Sequence, residues 1–234
     1  MTSFAWMPLL LTGLAVPADT VGDLQITPIT HASVIFEWQG HVVYVDPWGR
    51  GDFTGQPKAD LILITHAHGD HLDPAQIARS SKEGTIVIAP LSVQAQVTQA
   101  RVLRNGEKTE ALGIGIEAIP AYNLVRGPSP ERRFHPKGEG NGYVLSFGDR
   151  RVYVSGDTEC TPAMKALRDI DVAFICMNLP YTMTPEEAAE CVNAFRPKVV
   201  YPYHCQGTDL NLFKSKVDSG IEVRIVDWYA GASQ

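Results

Sequence analysis

The 234-residue chain predicts an α/β fold in which two β-sheets pack between helices. Two observations carry this. Strands in the first part of the chain follow one another through tight turns, whereas those in the last third alternate with helices, and both halves are equally apolar. In addition, Leu61-Ile62-Leu63-Ile64 is short and β-branched, the pattern of a strand buried on both faces. No linker, low-complexity tract or charge block divides the chain, so a single domain over 19–234 is the economical organisation.

The elements follow in order. Phe4 to Val16 is mostly apolar and ends on Val16-Pro17-Ala18, the form of a cleaved export signal over 1–18. It is too short for a stable membrane span, and the missing Lys or Arg ahead of it argues against export. The expected location is exported or periplasmic if it is cleaved, and cytoplasmic otherwise. Leu24 to His31, Ala32 to Trp38 and His41 to Pro47, with a Gln39-Gly40 turn, read as an antiparallel meander. Trp48 to Lys58 is a loop. Asp73-Pro74 is an N-cap followed by proline at the first helical position, so a helix runs to about Ser80. Thr85 to Pro90 is a strand, Leu91 to Ala100 a helix, and Leu112 to Pro120 a strand.

Ala121 to Gly142 has no helical or strand period, and a loop of that length in a compact domain is usually functional. Tyr143 to Phe147 and Arg151 to Ser155 form a hairpin. Thr161-Pro162 opens a helix to about Asp169, and Asp171 to Cys176 is a buried strand. Thr184-Pro185-Glu186-Glu187 combines a cap, an N1 proline and a capping-box Glu, so a helix extends to about Phe195. A strand from Lys198 ends on His204, Leu210 to Val217 is helical, and Ile221 to Trp228 is the last strand.

Composition excludes some functions. With 44% hydrophobic and 20% charged residues the chain is an ordinary globular protein. Its net charge of −6 argues against a nucleic-acid binder, which would show a basic face. A phosphate-bearing substrate is not excluded, because metals supply positive charge locally. The four cysteines, Cys160, Cys176, Cys191 and Cys205, lack CxxC spacing and form no zinc ribbon.

The chemistry is concentrated in Thr65-His66-Ala67-His68-Gly69-Asp70-His71. Side chains alternate along an extended chain, so His66 and His68 point the same way, about 6.5–7 Å apart. Gly69 permits a sharp turn that carries Asp70 and His71. Imidazoles and a carboxylate at this density suit zinc or a neighbouring first-row metal. Single histidines at strand ends are commonly just solvated; four potential ligands in six positions are not.

The stretch His66-x-His68-x-Asp70-His71 resembles the signature of the metallo-β-lactamase superfamily, and the wider text resembles its lactonase and phospholipase-D-like branch of bacterial metal-dependent hydrolases. The similarity spans about residues 24–228. It includes Asp46-Pro47, Phe134-His135-Pro136-Lys137-Gly138, Ser155-Gly156-Asp157-Thr158 and Tyr181 to Glu187. The resemblance implies an αββα sandwich of two mixed sheets and two divalent metal ions, zinc first, with manganese or iron as alternatives. It implies Asp157 as the residue bridging the metals, and His204 with Asp70 and His71 on the second metal. His66 and His68 would hold the first, with a third histidine from an Ala-x-His step. Here that step reads Ala121-Tyr122-Asn123, so the histidine is missing. Of the seven histidines, His31, His41 and His135 remain. His135, on the long loop, is expected to replace the missing ligand, while His31 is expected beside the site in a catalytic or substrate-contacting role.

The implied activity is hydrolysis of an ester, lactone or phosphodiester by an activated water, with Asp70 also accepting its proton. Tyr122, Asn123, Tyr181 and Lys137 are candidates to grip the substrate, a small molecule that includes anionic ones. The alternative is a non-catalytic metal- or ligand-binding protein on the same scaffold, favoured by the lost histidine. A nuclease fits the acidic charge poorly, and β-lactam hydrolysis fits the resemblance less well. Oligomeric state is not set by the sequence.

Overall fold

A computed structural model describes residues 19–230. The segment read as an export signal, 1–18, lies outside them. Each half of the chain builds one seven-stranded sheet, with its strands side by side in sequence order. The first contains β1 (Asp19–Val21), β2 (Leu24–Thr30), β3 (Ser33–Trp38), β4 (His41–Val45), β5 (Ala59–Leu63), β6 (Ser81–Ala89) and β7 (Arg101–Val102). The second contains β8 (Lys108–Ala111), β9 (Ile114–Ala121), β10 (Gly140–Phe147), β11 (Arg150–Val154), β12 (Val172–Cys176), β13 (Val199–Tyr203) and β14 (Glu222–Val223). In both sheets the first four strands are antiparallel and the rest run parallel to the fourth. The sheets are therefore mixed, as the resemblance implies.

The period-2 alternation of strands assembles the layers. Leu61 and Leu63 face the inter-sheet core, whereas Ile62 and Ile64 face the outer cluster beneath Ile77 of helix α1 (Pro74–Ser80). Phe36 joins the sheets through Phe147 and Phe174, with ring centroids 5.8 and 5.5 Å apart. Beyond the second sheet lie α2 (Pro162–Lys165), α3 (Pro185–Phe195) and α4 (Leu210–Lys216). Helix α3 starts as its sequence dictates: Thr184 Oγ1 accepts from Glu187 N–H at 3.1 Å, and the Glu187 carboxylate accepts from Thr184 N–H at 2.8 Å.

Several elements depart from expectation. Leu91 to Ala100 is not a helix but a 3₁₀ turn over Leu91–Val93 followed by irregular turns. Only Val93, Val97 and Ala100 bury there, too small an apolar face to hold a short helix. Leu112-Gly113 forms a hairpin turn at positive φ, so the strand begins at Ile114 and pairs with the unexpected β8. The helix after Thr161 ends at Lys165. The last strand is cut to Glu222–Val223 because the chain leaves the sheet to bury Trp228, whose Nε1–H donates to Pro202 O at 2.6 Å. Cys160 and Cys191 form a disulfide, with Cα atoms 5.6 Å apart, that ties the segment after β11 to α3. Cys176 and Cys205 are free and buried.

The parallel strands open their C-terminal ends along one edge, where the sheets are stitched together. Asn141 N–H donates to Thr65 O at 2.8 Å, and His204 N–H to His31 O at 2.9 Å. Among the described residues, no helix is long and apolar enough to cross a membrane.

Candidate metal centre

Strands β4, β5, β11 and β13 end at Asp46, the His66–His71 segment, Asp157 and His204, and the β2–β3 turn adds His31. Three of these residues, His31, Asp46 and His204, have positive φ (53°, 44° and 45°). Such backbone is uncommon outside glycine and clusters where surrounding structure over-determines it, often at functional sites. Gly156, ahead of Asp157, needs its φ of +60° and its lack of a side chain: a Cβ there would lie 2.8 Å from Asn141 O.

Asp46 is fully buried and organises the histidine segment. Its carboxylate accepts from Thr65 N–H (2.7 Å), from the Thr65 hydroxyl (2.6 Å) and from His71 Nδ1 (2.7 Å). With Nδ1 committed, His71 presents Nε2 to the centre, 3.4 Å from Asp157 Oδ1 and 3.9 Å from Asp70 Oδ2. His66 Nε2 lies 3.0 Å from His68 Nδ1. His204 Nε2 lies 3.4 Å from Asp157 Oδ2 and 3.6 Å from Asp70 Oδ2.

The long loop brings His135 in. It is buried, and its Nε2 lies 3.2 Å from Asp157 Oδ2. His31 also enters more deeply than expected: Nε2 is 3.1 Å from Asp70 Oδ2, and Nδ1 is 3.0 Å from the Tyr229 hydroxyl.

The donor atoms fall into three overlapping groups, each within 4.8 Å: His66, His68 and His135; His66, His71 and Asp157; and His31, Asp70, His71 and His204. His71 Nε2, Asp157 Oδ1 and both ring nitrogens of His204 are buried without a hydrogen-bond partner in the protein. An unpaired buried polar atom costs about 1–3 kcal/mol. Of these, His71 Nε2 and His204 Nε2 both face the Asp157 carboxylate, and such unpaired atoms fit a cation held among them.

The protonation tendencies of His66, His68 and the two carboxylates agree. Burial, reinforced by neighbouring imidazoles, drives His66 and His68 below the ordinary histidine range, toward the neutral form that ligates. Burial also lowers His31. Burial would raise Asp157 and Asp70, but the surrounding histidines hold both well below the usual carboxylate range. His71 alone is driven up, because Asp157 and Asp46 outweigh its burial.

A cleft of about 410 Å³ reaches this cluster, lined also by Trp48, Phe134, Asn178, Tyr181 and Gln206. Tyr181 lines this cleft, whereas Tyr122, Asn123 and Lys137 do not. Asn123 is buried, and Lys137 Nζ sits 5.4 Å from the Tyr122 ring centroid. Sequence reasoning passed over Glu159 and Tyr229 and gave Asp46 no role. Asp46-Pro47 was the only local signal among them, and even Asp46 acts on Thr65 and His71, 19 and 25 residues away.

The family model described as beta-lactamase superfamily domain matches residues 25–204. A UPF0173 metal-dependent hydrolase of Methanopyrus kandleri is 31% identical over 90% of this chain and 99% of its own length. Among solved structures, a protein of Parabacteroides distasonis assigned as a metal-dependent hydrolase is 43% identical, with a TM-score of 0.83 over 90% of this chain and 97% of its own. Igni18, described as a novel metallo hydrolase from Ignicoccus hospitalis, is 26% identical, with a TM-score of 0.72 over 86% and 94%. The metallo-beta-lactamase fold protein YhfI of Bacillus subtilis, 15% identical with a TM-score of 0.66 over 84% and 88%, shares the fold.

Proposed function

The chain belongs to the metallo-β-lactamase superfamily as a metal-dependent hydrolase, and we propose that it holds two divalent ions and hydrolyses an ester, lactone or phosphodiester bond. The observation that carries this is Asp157, which stands between the two donor sets: its Oδ2 lies 3.2 Å from His135 Nε2 of the first and 3.4 Å from His204 Nε2 of the second. His66, His68 and His135 are assigned to the first ion. Asp70, His71 and His204 are assigned to the second, and Asp157 to both. His31 stands at liganding distance within the second group and is kept in a catalytic role. Zinc is the first choice, with manganese or iron as alternatives.

Divalent ions held there would supply Lewis acidity and lower the pKa of a bound water to about 7. The protein's own contribution is placement. Asp70, with 37% of its side chain exposed, is the carboxylate open to the cleft and is assigned to take the proton from that water. His31, backed by Tyr229, steadies Asp70. Trp48, Phe134 and Tyr181 shape the cleft for a small molecule, while Asn178 and Gln206 offer amide groups. The alternative of a non-catalytic binding protein rested on an incomplete first site, and the approach of His135 to His66 and His68 weighs against it. The Cys160–Cys191 disulfide supports export, because disulfides persist in oxidising compartments.

The test is turnover of bis(p-nitrophenyl) phosphate, an aliphatic lactone and p-nitrophenyl acetate by zinc- or manganese-loaded protein. The His66→Ala/His68→Ala variant should lose both metal and activity. Turnover that survives in that variant contradicts the assignment.

A further inference from the structure

We infer that Asn123 is the positioning residue that lets His135 serve the first metal, by holding its imidazole in the tautomer that offers Nε2 to His66 and His68. The inference rests on His135 being a ligand, as proposed above. Asn123 occupies the place where the resemblance leads one to expect a histidine, and the structure gives it a different task.

An asparagine amide is reversible on shape alone, but here each of its ends meets partners that can play only one role. Nδ2 faces Tyr181 O at 2.8 Å and Glu159 Oε1 at 3.3 Å, both obligate acceptors. Oδ1 faces the backbone N–H of His135 at 3.0 Å, an obligate donor. The orientation of the amide is therefore determined. His135 Nδ1 then lies 2.5 Å from an oxygen that can only accept, so the ring proton resides on Nδ1 and the lone pair on Nε2. Nε2 is the atom turned toward Asp157. Outer partners of this kind fix the ring orientation and tautomer of liganding histidines.

Glu159 makes the arrangement rigid. It is only 4% exposed, and its carboxylate accepts from the backbone N–H groups of Leu124, Val125 and Arg126 at 2.8, 2.9 and 2.8 Å. Arg126 Nη1 donates to the same carboxylate at 3.1 Å. The start of the long loop is thereby pinned beside Asp157, and Asn123 N–H donates to His135 O at 2.8 Å to close the pair. Because Asn123 also holds the backbone of Tyr181, the first metal's ligand and the cleft wall share one support.

Two measurements test this. Long-range ¹H–¹⁵N correlation spectra of the zinc-loaded wild-type protein should show His135 protonated at Nδ1 and coordinated through Nε2. The opposite pattern overturns the inference without any variant having to fold. Metal titration by equilibrium dialysis should then show first-site affinity reduced about 10–100-fold in Asn123→Ala. Asn123→Asp keeps the acceptor for Nδ1 but sets its other oxygen against Tyr181 O and Glu159 Oε1, so it should recover only part of the affinity lost in Asn123→Ala. First-site affinity in Asn123→Asp no higher than in Asn123→Ala also overturns it. Unchanged affinity in Asn123→Ala, while His135→Ala loses one ion, refutes the role of Asn123 alone. If His135→Ala keeps both ions, it is the ligand assignment that falls, and this inference with it.

Discussion

Removing the Cys160–Cys191 disulfide gives the most quantifiable prediction. The bridge closes a loop across a sequence separation of 31. The chain-entropy relation for a loop of that size gives about 3.7 kcal/mol at 25 °C. The Cα separation of 5.6 Å lies within the ordinary range for disulfides. For a domain of this size each kcal/mol shifts Tm by roughly 2–4 °C, so Cys160→Ala/Cys191→Ala should melt about 7–15 °C below wild type. Bound metal raises Tm by mass action, so both proteins are compared by calorimetry in their metal-free forms. Wild type reduced with dithiothreitol in denaturant and then refolded should fall to the same range. A double variant melting within about 2 °C of wild type, or wild type unchanged by that reduction, refutes the reasoning.

Three further predictions follow from the same structure. Asp46→Ala leaves His71 and Thr65 without their shared buried acceptor and should cost about 3–5 kcal/mol in urea unfolding of the metal-free protein; a loss below about 1 kcal/mol contradicts the role given to Asp46. Burial pushes the Cys176 and Cys205 thiols up to about 12, so they stay protonated near neutrality. Ellman's reagent should then find no reactive thiol in native protein and two after unfolding, with four only after reduction as well, because the other two cysteines are bridged; a thiol that reacts in the native state contradicts this. Burial would raise the Glu159 carboxyl, but the N–H groups of Val125, Arg126 and Leu124 and the Asn123 amide hold it below its ordinary value of 4.5. A depressed carboxyl contributes stability that is fully present above its unfolded pKa and is lost as pH falls through the folded value. The Tm of metal-free wild type should therefore drop more steeply from about pH 6 to pH 3 than that of Glu159→Gln, and parallel curves would contradict the network.

Much of the site was legible because its ligands are local or sit at strand ends. His66, His68, Asp70 and His71 fall in one turn, and Asp157 and His204 each follow a strand that its composition announces. His135 came from counting the histidines left over, since nothing in its own loop has a period. Glu159 was invisible for a physical reason: it acts on Asn123 and Arg126, which lie 36 and 33 residues earlier. Tyr229 acts on His31 across 198 residues. The disulfide has no spacing signature for the same reason. In the fold, hairpin strands and the capped helix at Thr184 were readable from local chemistry. The 91–100 segment was not, because only Val93, Val97 and Ala100 bury there, and the last strand was not, because burial of Trp228 overrode local pattern.

The central claim is a two-ion centre completed by His135, and elemental analysis of the purified protein after reconstitution with zinc or manganese tests it most directly. About two ions per chain in wild type and about one in His135→Ala are the predicted results. One ion or none in reconstituted wild type would contradict the account.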